Sequence, residues 1–170
     1  MVSQSSLIHF IVFNLGNVGS VTIKNKVEIK GNKTQVDAAL VGASAATITE
    51  AGTKATVSNA ASLSEANAIA AATNIKATFS AGLSDTVGNL TKNSTTIADK
   101  MAAVTTDQSN IDIAISDGAS TVEATRLTAI GKATTGTVSV AAAIKVEDTT
   151  DNLTAAFVTT TSLVAATSAV

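Results

Sequence analysis

Cysteine, proline, tryptophan and tyrosine are all absent from this 170-residue sequence, and aromatic residues make up only 2% of it. Without cysteine there are no disulfides and no thiolate metal sites, so packing and backbone hydrogen bonds must carry the stability. Without proline, chain reversals fall to Gly, Asn, Asp and Ser. With so few aromatics, small side chains must fill the core, and the 45% hydrophobic fraction rests largely on Ala and Val. Burial returns roughly 25 cal/mol per Å² of apolar surface, so such an interface has to extend over many residues to offset chain entropy.

Charge is scarce as well. Charged residues are 14% of the chain, with 11 Lys and Arg against 13 Asp and Glu, a net charge of −2 and a pI near 5.3. That balance supplies no clustered basic face for nucleic acid. Low charge and a mean hydropathy of +0.35 indicate a chain that folds. The single histidine, His9, lies in an apolar run and reads as structural. No G-x-S-x-G, P-loop or H-E-x-x-H pattern occurs, and Gly16 with Gly19 forms only a fragment of a dinucleotide fingerprint. The expectation is a chain that is not an enzyme, with no catalytic and no cofactor-binding residues. The N-terminal apolar run, residues 7–15 (LIHFIVFNL), is about half the roughly 20 residues a membrane helix needs and is interrupted by His9 and Asn14. It lacks the basic start and cleavage site of a signal peptide. It reads as a core strand or cap, and export would then depend on a signal elsewhere in a longer parent chain.

What is present is repetition. Residues 61–66 (ASLSEA) match residues 119–124 (ASTVEA) at a separation of 58, from Ser62 to Ser120. Residues 85–90 (DTVGNL) match residues 148–153 (DTTDNL) at a separation of 63. Residues 36–40 (VDAAL) fit a degenerate earlier copy. Ser62-Leu-Ser-Glu65 and Ser120-Thr-Val-Glu123 both have capping-box spacing, and Asp85 and Asp148 suit the start of a second helix in each copy. The punctuation predicts helices over 34–45, 62–73, 87–104, 120–132 and 151–165.

Between them lie short runs with two-residue alternation. Ala55 and Val57 share one face, as do Ala77 with Phe79, Ile111 with Ile113 and Ile115, and Val138 with Val140. Residues 21–29 (VTIKNKVEI) alternate throughout and predict an edge strand near the N-terminal cap. One apolar and one polar face per strand predicts a sheet covered on one side and wet on the other. The expected fold is therefore α/β, a repeat solenoid with a parallel sheet covered by helices on one face. Residues 1–33 would form N-terminal cap strands and residues 34–170 one continuous strand–helix array. A compact two-layer α/β sandwich of the same elements is the alternative.

The segments ATVSNAASLSEANAIAAATN, LSDTVGNL, ISDGASTVEATRLTAIGKATTGTVSV and VEDTTDNLTA resemble the Ala/Thr-rich tandem repeats of very large exported surface or hemolysin-like proteins of bacteria, especially cyanobacteria. The resemblance spans residues 36–157. It implies an extracellular or cell-surface location and a structural or adhesive role beside neighbouring repeats or other surface proteins. The glycine-rich calcium nonapeptide that accompanies such proteins is missing here.

Recurrent acids at turns, Asp85, Asp117, Asp148 and Asp151, admit two readings: helix caps, or oxygen ligands for calcium. Glu147, Asp148 and Asp151 form the densest acidic group and are the candidate metal ligands, though the capping reading fits the spacing better. Four Asn-x-Ser/Thr sequences begin at Asn32, Asn89, Asn93 and Asn152, a number that Ser/Thr-rich text produces by chance. A regular threonine lattice for ice binding is interrupted by Ser, Asp and Ala. The function expected is a non-catalytic structural or adhesive repeat module. A filament or surface-layer subunit and a calcium-dependent binding module are the alternatives.

Overall fold

The computed structural model describes residues 27–42, 53–73, 75–140 and 143–159. His9, the apolar run at residues 7–15 and the last predicted helix beyond residue 159 lie outside them. The described residues form a mixed α/β fold with parallel sheets and six α-helices.

Three strands open it: β1 (Val27–Gly31), β2 (Thr53–Val57) and β3 (Lys76–Phe79), parallel and in the order β1-β2-β3. Their register places Ile29, Ala55 and Ala77 side by side, and Gly31, Val57 and Phe79 likewise. Ala55, Val57, Ala77 and Phe79 are buried, while Glu28, Lys30 and Lys76 stand exposed on the opposite pleat. The alternation read from the sequence is thus a real facing.

Helix α1 (Lys33–Asp37) follows β1 and continues as a π-helical turn over Ala38–Gly42. Helix α2 (Leu63–Ala72) follows β2, and the predicted capping box is there: Ser62 Oγ accepts from the Glu65 amide, and Glu65 Oε2 accepts from the Ser62 amide at 2.8 Å. A second parallel sheet has the order β4-β7-β9, from β4 (Leu83–Asp85), β7 (Ile113–Ile115) and β9 (Val138–Val140). It sets Leu83, Ile113 and Val138 in one buried row. Ala61 extends that row through a bridge to Leu83. A parallel pair joins β8 (Thr121–Glu123) to β10 (Lys145–Glu147). Helix α5 (Ala124–Ala133) follows β8, and α6 (Thr150–Thr154) follows β10 and ends in a π-helical turn over Ala155–Thr159. One cluster of buried apolar side chains runs from Ile29 to Ala156.

Two sequence expectations are corrected. The single helix predicted over 87–104 is broken into α3 (Val87–Leu90), an antiparallel hairpin of β5 (Thr91–Asn93) and β6 (Thr96–Ile97), and α4 (Asp99–Asp107). Thr91 ends α3 by turning its hydroxyl onto the Val87 carbonyl at 2.8 Å. The β-branched residues around Asn93-Ser94 then favour a hairpin over a helix. The second Ser-x-x-Glu does not start a helix: Thr121–Glu123 is strand β8, Val122 is buried against Val146 of β10, and α5 begins at Ala124 without a side-chain cap of its own. The two Ser-x-x-Glu segments are therefore not equivalent, and the match at 58 residues has no structural counterpart.

Among the described residues no strand follows β3 in the first sheet. Gln108, just past α4, takes that place: its Oε1 accepts from the Phe79 amide at 2.7 Å and its Nε2 donates to the Phe79 carbonyl at 3.4 Å. A primary amide reproduces the donor and acceptor of one peptide group, so this side chain satisfies the edge at Phe79, and Asp107 Oδ2 accepts from the Ala77 amide at 3.5 Å.

Side chains also do what proline does elsewhere. Thr134 Oγ1 donates to the Ile111 carbonyl at 2.6 Å and accepts from the Gly136 amide at 2.9 Å. Asp112 Oδ1 accepts from the Thr137 amide at 2.7 Å. These bonds fix the entry to β9 against the entry to β7. Among the described residues no buried side-chain polar atom lacks a partner, and no helix is long and apolar enough to cross a membrane.

Candidate functional site

The recurrent acids define the candidate site, and the helix starts explain their positions. The first amides of a helix have no intrahelical acceptor. In α2 the amide of Leu63, the first helical residue, donates to Asp85 Oδ2 at 2.8 Å, across 22 residues. In α3 the amide of Val87 donates to Asp117 Oδ2 at 2.6 Å, across 30 residues. In α1 the amide of Lys33 donates to Asn59 Oδ1 at 2.7 Å, across 26 residues. In α5 the amide of Thr125, the second helical residue, donates to Asp148 Oδ2 at 3.3 Å, across 23 residues. In all four cases the acceptor belongs to the strand–helix unit that comes later in the chain.

Asp85 and Asp148 carry the same set of bonds. Asp85 Oδ1 accepts from the Thr86 amide at 2.8 Å and from Asn89 Nδ2 at 2.7 Å. Asp148 Oδ1 accepts from the Thr149 amide at 2.8 Å and from Asn152 Nδ2 at 2.6 Å. Thr86 and Thr149 are the N-caps, with hydroxyls that accept from the amides of Asn89 and Asn152 at 3.3 and 3.4 Å. The Asp-Thr-x-x-Asn match at 63 residues is therefore one recurring bonding unit. The expectation that Asp85 and Asp148 themselves cap the helices beside them is corrected: threonine does that, and the carboxylate reaches back to the preceding unit.

No protein family, curated protein or solved structure matches this chain.

Three predicted metal candidates lie close in sequence but differ in setting. Glu147 is exposed at the end of β10 and ion-paired with Lys145. Asp151 is exposed in the first turn of α6. Asp148 is half-buried, and its oxygens are taken by Thr125, Thr149 and Asn152. Those bonds, led by that from Asn152 Nδ2, hold the Asp148 carboxyl below the usual aspartate range. Among the described residues no group of three or more His, Asp or Glu side chains is placed to hold a metal.

Other contacts join consecutive units. Lys33 Nζ reaches Glu65 Oε2 at 2.9 Å, linking α1 to α2. Burial works against the Glu65 charge, but the Ser62 amide and Lys33 outweigh it and its pKa lies below the ordinary 4.5. On the polar face of the first sheet, Glu28 accepts from Thr56 Oγ1 at 2.7 Å and faces Lys54 and Lys30 at 3.3 and 3.1 Å. Sequence reasoning did not single out Asn59, Gln108 or the capping threonines. The shared Asp-Thr-x-x-Asn was visible, but its backward reach depends on how the units pack.

Proposed function

We propose that the chain is a non-catalytic structural or adhesive repeat module of a secreted or surface-exposed bacterial protein. In this reading its strand–helix units stack along one axis as a solenoid, with helices covering one face of the strands. The observation that carries it is that α1, α2, α3 and α5 each receive a cap from a side chain 22 to 30 positions later in the chain. Such a bond has one direction along the chain, and four of the helices receive it. In-register parallel rows such as Ile29, Ala55 and Ala77 are the packing that stacked units require. Asp85, Asp117 and Asp148 are then committed to joining units, and the polar sheet face around Glu28, Lys30, Lys54 and Thr56 is left to meet neighbouring repeats or other surface proteins.

Sedimentation velocity over a hundredfold concentration range tests this role. A spacer stays monomeric with an elongated frictional ratio. Growth of larger species with concentration favours instead a filament or surface-layer subunit. That second reading draws on Phe157 and Val158, which are 41% and 77% exposed after α6. Among the described residues β9 and β10 also have no neighbour on their outer edges.

A further inference from the structure

The four Asn-x-Ser/Thr sequences are presented differently. Asn89 and Asn152 are within α3 and α6, and their Nδ2 groups donate to Asp85 and Asp148. Asn32 is the N-cap of α1, its Oδ1 accepts from the Gln35 amide at 3.0 Å, and Thr34 is inside the helix. Asn93 is exposed and ends β5 at the tip of the β5–β6 hairpin.

There the side chain folds back along its own sequence. Asn93 Oδ1 accepts from the Thr95 amide at 3.0 Å and from Thr95 Oγ1 at 3.3 Å. This Asx turn brings the first and third residues of the motif together, and Asn93 Nδ2 has no partner among the described residues. The hairpin is anchored by residues the motif does not need. Arg126 Nη1 donates to Thr91 Oγ1 at 2.7 Å. Asn93 and Thr95 are exposed, Ser94 between them is half-buried, and the base of the hairpin is tied to α5 through Arg126.

We propose that Asn93 is an acceptor for N-linked glycosylation on the folded chain, from a nucleotide-activated sugar. A bond forms between Asn93 Nδ2 and the anomeric carbon of the sugar. The bond from that carbon to the phosphate oxygen breaks, the nucleoside diphosphate leaves with the electron pair, and one amide proton passes to the transferase. At Asn89 and Asn152 the same attack would first require release of the bond to an aspartate and unwinding of a helix. At Asn32 it would require uncoiling the first turn of α1. This inference stands apart from the spacer reading.

The test incubates the native chain with a soluble asparagine N-glucosyltransferase and uridine diphosphate glucose, and maps glucose by peptide mass spectrometry. Occupancy at Asn93 is expected to exceed that at Asn89 and Asn152 by about tenfold or more, the discrimination one lost hydrogen bond provides, and to exceed that at Asn32. Unfolding in urea before the reaction should level the four sites. N93D keeps the oxygen that closes the turn but offers no amide, and T95V removes the hydroxyl; both should lose the sugar while circular dichroism shows the native fold. Absence of glucose at Asn93 of the folded chain, or equal occupancy at any helical site, overturns the proposal.

Discussion

The Asp85 carboxylate lies 2.8 Å from the amide of Leu63, a residue 22 positions earlier that opens a different helix. Asp85 is 8% exposed, so loss of its side chain strands the Leu63 and Thr86 amides and the Asn89 carboxamide together. Asp85→Ala is expected to destabilise the fold by about 2–3 kcal/mol in urea titration. Asp85→Asn should cost less, because Asn59 performs the same service for Lys33 with an amide oxygen. A loss in Asp85→Ala no greater than that of an exposed surface substitution would contradict the assignment.

Gln108 substitutes for a strand, and its variants separate that role from simple packing. Gln108→Leu keeps the bulk and loses both bonds to Phe79, with an expected cost of about 1–3 kcal/mol. Gln108→Glu keeps the acceptor for the Phe79 amide but sets a carboxylate beside the Phe79 carbonyl. Protonation restores the donor, so the deficit of Gln108→Glu relative to wild type should narrow as the pH falls. Equal deficits at neutral and acid pH would show that the carboxamide pairing contributes nothing.

Gly82 has a φ of +71°, and a Cβ there would lie 2.1 Å from the Asp112 carbonyl oxygen. That oxygen accepts from the Leu83 amide at 2.8 Å, the bond that sets β4 beside the approach to β7. Gly82→Ala therefore combines left-handed strain with a backbone clash. It is expected to cost more than the roughly 1 kcal/mol of left-handed strain alone. A thermal midpoint within a degree of wild type would refute the close approach.

Acid should weaken the fold in a defined direction. The Thr56 hydroxyl, with Lys30 and Lys54, holds Glu28 below the ordinary 4.5, and Glu65 is lowered as well. A carboxylate with a depressed folded pKa contributes stability that is fully present above the unfolded value and lost as the pH falls through the folded one. The urea midpoint should hold on the alkaline side of 4.5 and decline below it, with a smaller decline in the double variant Glu28→Gln, Glu65→Gln. An identical decline in that variant would assign acid sensitivity to other groups.

Much of this arrangement is legible in the residues alone. The alternating pairs Ala55 and Val57, Ala77 and Phe79, and Ile113 and Ile115 are buried as their spacing indicates, and Ser62 and Glu65 form the capping box their spacing allows. Local pattern failed where a distant partner decides. Ser120-Thr-Val-Glu123 has the same spacing, yet Val146 draws Val122 into a strand. Thr91 has no local mark that distinguishes a helix end from a helix interior, and the hairpin it begins rests on α5 through Arg126. The backward reach of Asp85, Asp117 and Asp148 depends on the distance between units, which no single segment encodes.

Amide hydrogen exchange tests that reach most directly, since the first amides of a helix are unprotected unless something outside the helix accepts from them. Asp85→Ala, Asp117→Ala and Asp148→Ala should each accelerate exchange at one amide of the preceding unit: Leu63, Val87 and Thr125 respectively. Acceleration confined to the helix beside the substituted aspartate, with Leu63, Val87 and Thr125 unchanged, would contradict the account.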